Sequence, residues 1–110
     1  MSADKAAAVT ICGSDIDHDL SVKKTSGAVL VGGGTGCATN SVGHDLRIED
    51  NYGQVTVSGN AVTHDLSVQK NQPGGVTVTS NDAGHDATCK SNSPQAGSGN
   101  TAAGKNSCPI

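Results

Sequence analysis

The residues best suited to chemistry are four His-Asp pairs, which recur at intervals of 26, 20 and 21 residues in a chain of 110. They are His18 and Asp19, His44 and Asp45, His64 and Asp65, and His85 and Asp86. If the repeats stack about 4.8 Å apart, neighbouring carboxylates can share Ca²⁺ and neighbouring imidazoles can bind a transition metal. We therefore predict these eight residues as candidate ligands of a divalent cation. The alternative is a structural ladder, in which each Asp accepts a backbone amide of its own corner or a His proton.

The His-Asp pairs belong to a larger repeat. Four residues before each His lies a polar column, which Asn100 continues towards the end of the chain: Ser14, Asn40, Asn60 and Asn81. Around the pairs, apolar residues alternate with polar ones at period two, as in a strand with one buried face. The inward positions of these strands are Ile16, Val42, Val62 and Ala83 before the pairs and Leu20, Leu46, Leu66 and Ala87 after them. The outward neighbours of these positions include the Asp residues, so we expect the carboxylates to point outward and stack, with the His residues at the corner or facing inward.

A second strand precedes each Asn column residue, and its inward positions are Val9 and Ile11, Val29 and Val31, Val55 and Val57, and Val76 and Val78. A third polar column follows the His-Asp strands, at Thr25, Asn51, Asn71 and Asn92. Asn tolerates the left-handed backbone of a corner, and stacked Asn side chains can form amide ladders.

This repeat predicts an all-β fold, a single-stranded parallel β-solenoid wound as a right-handed β-helix. About five coils of roughly 20 residues fit the spacing. We place the solenoid domain at residues 9–110, after an N-terminal extension at residues 1–8.

The composition requires a core that is built from few large apolar residues. The chain has 11 Val, 4 Ile, 4 Leu and no Phe or Trp, with Tyr52 as its single aromatic residue. These counts lie below the usual level for a globular core, and stacked coils can use so few aliphatics because each coil buries the face of the next. The net charge of −3 and the lack of aromatics argue against a nucleic-acid partner. No apolar run approaches 18 residues, so we expect no membrane span.

The four cysteines lie near the two ends of the predicted stack. Among the three possible connectivities we choose Cys12 with Cys37 and Cys89 with Cys108, since each pair falls on consecutive coils within disulfide reach. Disulfides indicate an oxidising compartment. Residues 1–5 lack an apolar leader region, and we interpret them as the start of a mature chain or of an expressed fragment.

The run Val42-Gly43-His44-Asp45-Leu46, the Asn-containing strand ends and the tail from Cys89 to Cys108 resemble a group of small secreted actinobacterial proteins of uncharacterised function, rich in Asn and Gly repeats. The resemblance covers most of the chain from Val9 onward. Where that pattern often has Gly-Asn before the Leu, this chain has His-Asp. The resemblance implies an extracellular setting and no particular activity.

We therefore predict a secreted or cell-surface structural or interaction module without catalytic activity, one that associates with itself or with extracellular surface components. No resident cofactor is expected, apart from a divalent cation on the His-Asp columns. The alternative is a binding module, which uses the His-Asp ladder for divalent cations or an outward Thr face for ice or glycan. That face contains Thr10, Thr56, Ser58, Thr77 and Thr79 and is interrupted by Leu30. An enzyme has least support, because short coils without long loops offer no deep cleft.

Overall fold

The computed structural model describes residues 2–32, 38–72, 74–92 and 95–108, and it confirms the predicted all-β parallel β-solenoid. Three short strands make up each turn, and corresponding strands of successive turns pair in parallel. Three five-stranded sheets result, which we call sheets A, B and C in the order in which a turn visits them.

Sheet A contains β1 (Ser2–Asp4), β4 (Leu20–Lys23), β7 (Leu46–Glu49), β10 (Leu66–Gln69) and β13 (Ala87–Lys90). Sheet B contains β2 (Val9–Ile11), β5 (Val29–Val31), β8 (Val55–Ser58), β11 (Val76–Thr79) and β14 (Gln95–Ala96). Sheet C contains β3 (Asp15–Ile16), β6 (Ser41–Val42), β9 (Ala61–Val62), β12 (Asp82–Ala83) and β15 (Thr101–Ala102).

The first strand lies inside the stretch that the sequence analysis treats as an extension. Ser2–Asp4 pairs in parallel with β4, and Ala3 is opposite Val22. The sequence Ser-Ala-Asp has no β-branched residue, so local propensity does not indicate this strand. The strand is held by backbone pairing with β4. The N–H of Lys5 extends this pairing, because it donates to the Lys23 carbonyl at 3.0 Å.

The core consists of aliphatic columns, because in-register pairing places each inward side chain on its counterpart in the next turn. In sheet A, Leu20 pairs with Leu46 and Leu46 with Leu66, and each is at most 1% exposed. In sheet B, Val57 and Val78 pair in the same way and are fully buried. The predicted inward positions of these strands are therefore confirmed.

Two ladders of Asn side chains follow two of the three corners. In the corner between sheets B and C, the Asn60 side-chain amide donates to Asn81 Oδ1 and to the Val31 carbonyl, both at 2.9 Å. The backbone N–H of Asn60 donates to the same Oδ1 at 2.9 Å. The linked residues are Asn40, Asn60, Asn81 and Asn100 in this corner and Asn51, Asn71 and Asn92 in the corner between sheets A and B. The buried Asn side chains are thus hydrogen bonded to one another from turn to turn, as predicted for amide ladders.

The residues with a left-handed backbone at the corners are not the Asn residues that were expected to adopt it. In the corner between sheets A and B, the residue before the ladder position has a φ of 56° or 57°, whereas the ladder Asn itself is not left-handed. These residues are Lys24, Asp50, Lys70 and Ser91. The Asn side chains are committed to the ladder, and the neighbouring residue makes the turn.

The C-terminal end is closed by a disulfide and by smaller, more polar residues. Cys89 and Cys108 form the predicted bridge, with Cα atoms 4.7 Å apart and a sequence separation of 19. Asn106, in a bridge with Ala87, ends the inward column that begins with leucines. Cys12 is not a free thiol, and Cys37, its expected partner, lies outside the described residues.

Thr25 occupies a position of the ladder between sheets A and B at which the later turns have Asn. Its backbone N–H donates to Asn51 Oδ1 at 3.0 Å, but its fully buried hydroxyl has no hydrogen-bond partner in the described part of the chain. At this position an Asn amide could donate to Asn51 Oδ1 and to the Ala3 carbonyl, as Asn51 does to Asn71 and Val22 one turn later.

We expect Thr25→Asn to raise the free energy of unfolding by about 1 kcal/mol, since it adds buried hydrogen bonds to the ladder. The matched variant Thr25→Val removes the unpaired hydroxyl and should be neutral or slightly stabilising. Urea unfolding of the three proteins measures both effects. A loss of stability in both variants would contradict the ladder geometry assigned to this corner.

Candidate functional site

The His-Asp pairs occupy the third corner, between sheets C and A. Each pair directly precedes a strand of sheet A, whose first residue is an inward Leu or Ala. Backbone bonds stack these corners as well: the N–H of His64 donates to the His44 carbonyl at 3.0 Å, and that of His85 to the His64 carbonyl at 2.9 Å. All three corners of the solenoid therefore carry a polar ladder, and this one is built from charged groups.

Each Asp in this corner bonds to the following turn. Asp19 Oδ1 accepts a hydrogen bond from His44 Nδ1 at 2.7 Å and another from the backbone N–H of Asp45 at 3.1 Å. Asp45 Oδ1 does the same for His64 Nδ1 at 2.9 Å and the N–H of Asp65 at 3.1 Å. Both Asp Oδ1 atoms are thus doubly used in holding consecutive turns together.

The pattern repeats once more and then changes. Asp65 Oδ1 accepts from His85 Nδ1 at 2.8 Å and from the N–H of Asp86 at 3.1 Å. Asp86 Oδ1 accepts from the N–H of Lys105 at 2.9 Å, in a turn that has no His-Asp pair. The ladder therefore ends on a backbone donor.

The imidazole rings form a stack at the surface. The ring centroids of His44 and His64 are 4.9 Å apart with an interplanar angle of 2°, and those of His64 and His85 are 5.0 Å apart at 5°. These three side chains are 53%, 45% and 58% exposed. His18 is also exposed, and the described residues give it no hydrogen bond, ion pair or ring contact.

Carboxylates and imidazoles alternate along this ladder. His64 Nδ1 lies 2.9 Å from Asp45 Oδ1 and 3.4 Å from Asp65 Oδ2, so it faces a carboxylate on either side. The hydrogen bond to Asp19 raises the pKa of His44, and the hydrogen bond to Asp65 raises the pKa of His85. The same bonds lower the pKa values of Asp19 and Asp65. Mixed charges thus replace the repulsion that a column of carboxylates alone would have.

The Asp side chains do not all point outward, although strand alternation predicts that they should. The Asp19 side chain is 52% exposed and the Asp45 side chain only 8%, with Asp65 and Asp86 between them, while the His side chains face solvent at the corner. Strand alternation does not extend to the pair, because strand β7 begins only at Leu46. The structural alternative is met in modified form: Asp19, Asp45 and Asp65 each bind the His and the backbone amide of the next turn, where the prediction had groups of their own corner.

A shallow groove of about 280 Å³ lies beside the ladder on the outer face of sheet A. Its lining is polar and includes Asp45, Arg47, Glu49, Asp65 and Asp86. Arg47 Nη2 donates to Asp45 Oδ2 at 3.3 Å. The charged side chains that line the groove are therefore mostly negative, and three of them are carboxylates of the ladder.

The eight predicted ligands meet only in part. Two groups of three have ligand atoms within 4.8 Å of one another: His44, Asp45 and His64, and then His64, Asp65 and His85. His18 is outside both groups, as are Asp19 and Asp86. Whether a cation binds stays a prediction. The hydrogen bond from His to Asp across turns was not predicted from the sequence, although each His follows the Asp of the previous pair by 25, 19 or 20 residues, which is one turn.

The outward Thr residues of sheet B align across turns. Thr10 pairs with Leu30, Leu30 with Thr56 and Thr56 with Thr77. The interruption by Leu30 is therefore real in three dimensions. Ice or glycan binding by this face stays a prediction.

Comparisons with protein-family models, curated proteins and solved structures find no match for this chain. Among the described residues, the structure contains no helix with the length and apolar character needed to span a membrane. Functional inference therefore depends on the ladders, the ends and the faces of the solenoid.

We expect stability to be greatest between about pH 4 and pH 6.5. The pKa values of His44 and His85 are raised from 6.5, so their contribution is complete below pH 6.5 and is lost as the pH rises through the folded-state values. The pKa values of Asp19 and Asp65 are lowered from 3.8, so their contribution is present above that pH and is lost as the pH falls through the folded-state values. Urea midpoints measured from pH 3 to pH 9 check this profile.

The double variant His44→Gln/His85→Gln is the control, since it should flatten the alkaline side of the profile. If the wild-type protein instead gains stability steadily from pH 6 to pH 9, the assigned ladder bonds do not contribute as described.

Proposed function

We propose that this chain is a secreted or cell-surface structural and interaction module without catalytic activity. The observation that carries the proposal is that the His and Asp side chains, which could do chemistry, form hydrogen bonds between turns. The Asp carboxylates and His Nδ1 atoms of the corner between sheets C and A bond consecutive turns to each other. Because these groups stabilise the stack, they support a structural role in which the outer faces of the solenoid contact partners.

An enzymatic role has less support. The contact of His44 with Asp19 resembles the base and carboxylate of a hydrolytic triad. Such a triad also needs a hydroxyl or thiol on the other imidazole nitrogen. In the described ranges no Ser, Thr or Cys is hydrogen bonded to a His ring.

An extracellular or surface setting is proposed from the cysteines. The Cys89–Cys108 bridge closes the C-terminal end of the stack, where fraying would begin. A bridge of this kind persists in an oxidising compartment. The resemblance to small secreted repeat proteins points the same way.

Self-association is proposed at the N-terminal end. Among the described residues, strands β1, β2 and β3 each pair with one strand in their sheets, so one edge of each strand offers backbone groups for pairing. The N–H of Val9 donates to Ala28 in the next turn, and the N–H of Thr10 therefore points to the open edge. At the other end, the disulfide and the Asn106 bridge cover the edge of β13 in sheet A. Two copies meeting through their N-terminal edges would form a closed, two-fold symmetric dimer.

The second candidate function is binding of a divalent cation at the His-Asp ladder. The stack of three solvent-facing imidazoles favours it. The Thr face, as a surface for ice or glycan, is supported less well because Leu30 divides its column.

We expect Thr10→Pro to weaken self-association at least tenfold, because it removes an edge N–H and Pro is tolerated on edge strands. The matched variant Thr10→Val keeps that N–H and should associate like the wild type. Sedimentation velocity over a range of protein concentrations measures the dissociation constants, and circular dichroism confirms that both variants fold.

A wild-type protein that stays monomeric up to millimolar concentration would contradict self-association. Equal dissociation constants for Thr10→Pro and the wild type would instead show that the interface does not include this edge.

A further inference from the structure

We propose that His44, His64 and His85 form a binding site for a borderline transition-metal ion such as Cu²⁺, Ni²⁺ or Zn²⁺, through the outward Nε2 atoms of neighbouring rings. The Asp residues orient the rings and are not ligands. This inference deepens the second candidate function and does not depend on self-association.

The orientation of the rings follows from the carboxylates behind them. Asp19, Asp45 and Asp65 each accept a hydrogen bond from the Nδ1 of the next His, at 2.7, 2.9 and 2.8 Å. A carboxylate acceptor keeps the proton of a neutral imidazole on Nδ1, so the lone pair lies on Nε2. The same arrangement of carboxylate, imidazole and ion is common around protein-bound zinc. The ladder therefore prepares three imidazoles for coordination.

The spacing of the rings determines how many can share one ion. Adjacent centroids lie 4.9 and 5.0 Å apart. Metal–nitrogen bonds of about 2.0–2.1 Å, at the angles of roughly 90–109° found in square-planar and tetrahedral sites, place two Nε2 atoms about 2.9–3.4 Å apart. Neighbouring rings must therefore bring their tips together by roughly 1.5–2 Å and turn out of the parallel stack so that both lone pairs point at the ion, which half-exposed side chains can do. His44 and His85 are two spacings apart and cannot share an ion.

His64 belongs to both possible pairs. One chain therefore binds one ion in a two-imidazole mode, either between His44 and His64 or between His64 and His85. Solvent completes the coordination shell on the exposed side. His64 is required for chelation, while His44 and His85 can replace each other.

The donor set selects the class of ion. Imidazole nitrogen suits Cu²⁺, Ni²⁺ and Zn²⁺, whereas Ca²⁺ and Mg²⁺ prefer oxygen ligands. The Oδ1 atoms of Asp19, Asp45 and Asp65 are less available, because each already accepts two hydrogen bonds. The mostly negative groove on sheet A adds a long-range attraction for cations without supplying the ligands.

Isothermal titration with Cu²⁺ at pH 7.5 tests this site in the whole chain. We expect one ion per chain, at least tenfold weaker binding for His64→Gln because the chelate is lost, and about twofold weaker binding for His44→Gln or His85→Gln because one of two pairs remains. His18→Gln is the matched control and should bind like the wild type. Equal losses in all four variants, or no loss in His64→Gln, would overturn the proposal.

A second measurement on the wild-type protein covers the case in which His64→Gln fails to fold. Substoichiometric Cu²⁺ should broaden the NMR signal of the His64 ring most, those of His44 and His85 less, and that of His18 least. Absence of selective broadening would overturn the site. Sedimentation in the presence and absence of Cu²⁺ separates the two proposals. A protein that binds Cu²⁺ but stays monomeric would contradict only self-association, and a dimer that does not bind Cu²⁺ would contradict only the metal site.

Discussion

The structure depends on one constraint, the in-register parallel pairing of successive turns. Such pairing places every side chain on the residue that occupies the same position one turn away. Aliphatic residues satisfy this easily, and Leu20, Leu46 and Leu66 form a dry column. A buried polar residue satisfies it only if it can bond to its own kind or to the backbone. Asn can, since its amide both donates and accepts, which explains the two Asn ladders. Asp cannot bond to another carboxylate. Its column is therefore interleaved with imidazoles and backbone N–H groups.

The same constraint connects stability to the proposed chemistry. Because Nδ1 of each stacked His is used in the ladder, the remaining nitrogen faces solvent in a regular row. The ladder is directional: each Oδ1 accepts from the following turn, so the two ends of the stack differ. At one end Asp86 receives a backbone N–H from Lys105. At the other end, the described residues give the His18 imidazole no carboxylate partner. A structural role for the interior and a binding role for the outer nitrogens are thus compatible.

Much of the fold could be predicted from the sequence because stacking repeats the same residues at one spacing. The columns of Val, Leu and Asn, and the Cys89–Cys108 bridge, follow from that spacing. Strand β1 could not be predicted, because Ser2–Asp4 has no β pattern and is held by pairing with β4. The orientation of Asp45 was also missed, since alternation applies within a strand and the His-Asp pair precedes it. The ladder across turns needed coordinates, because a repeat shows which residues stack but not which atoms bond.

Hydrogen exchange of the Asn side-chain amides tests the stacking constraint most directly. Both Nδ2 donors of Asn60 and of Asn81 are used: Asn60 donates to Val31 and Asn81, and Asn81 donates to Val57 and Asn100. We expect their Nδ2 protons to exchange at least on the order of 100-fold more slowly than those of the exposed Gln72 side chain in NMR spectra. Exchange at the rate of Gln72 would show that the ladder is open to water and would contradict the account.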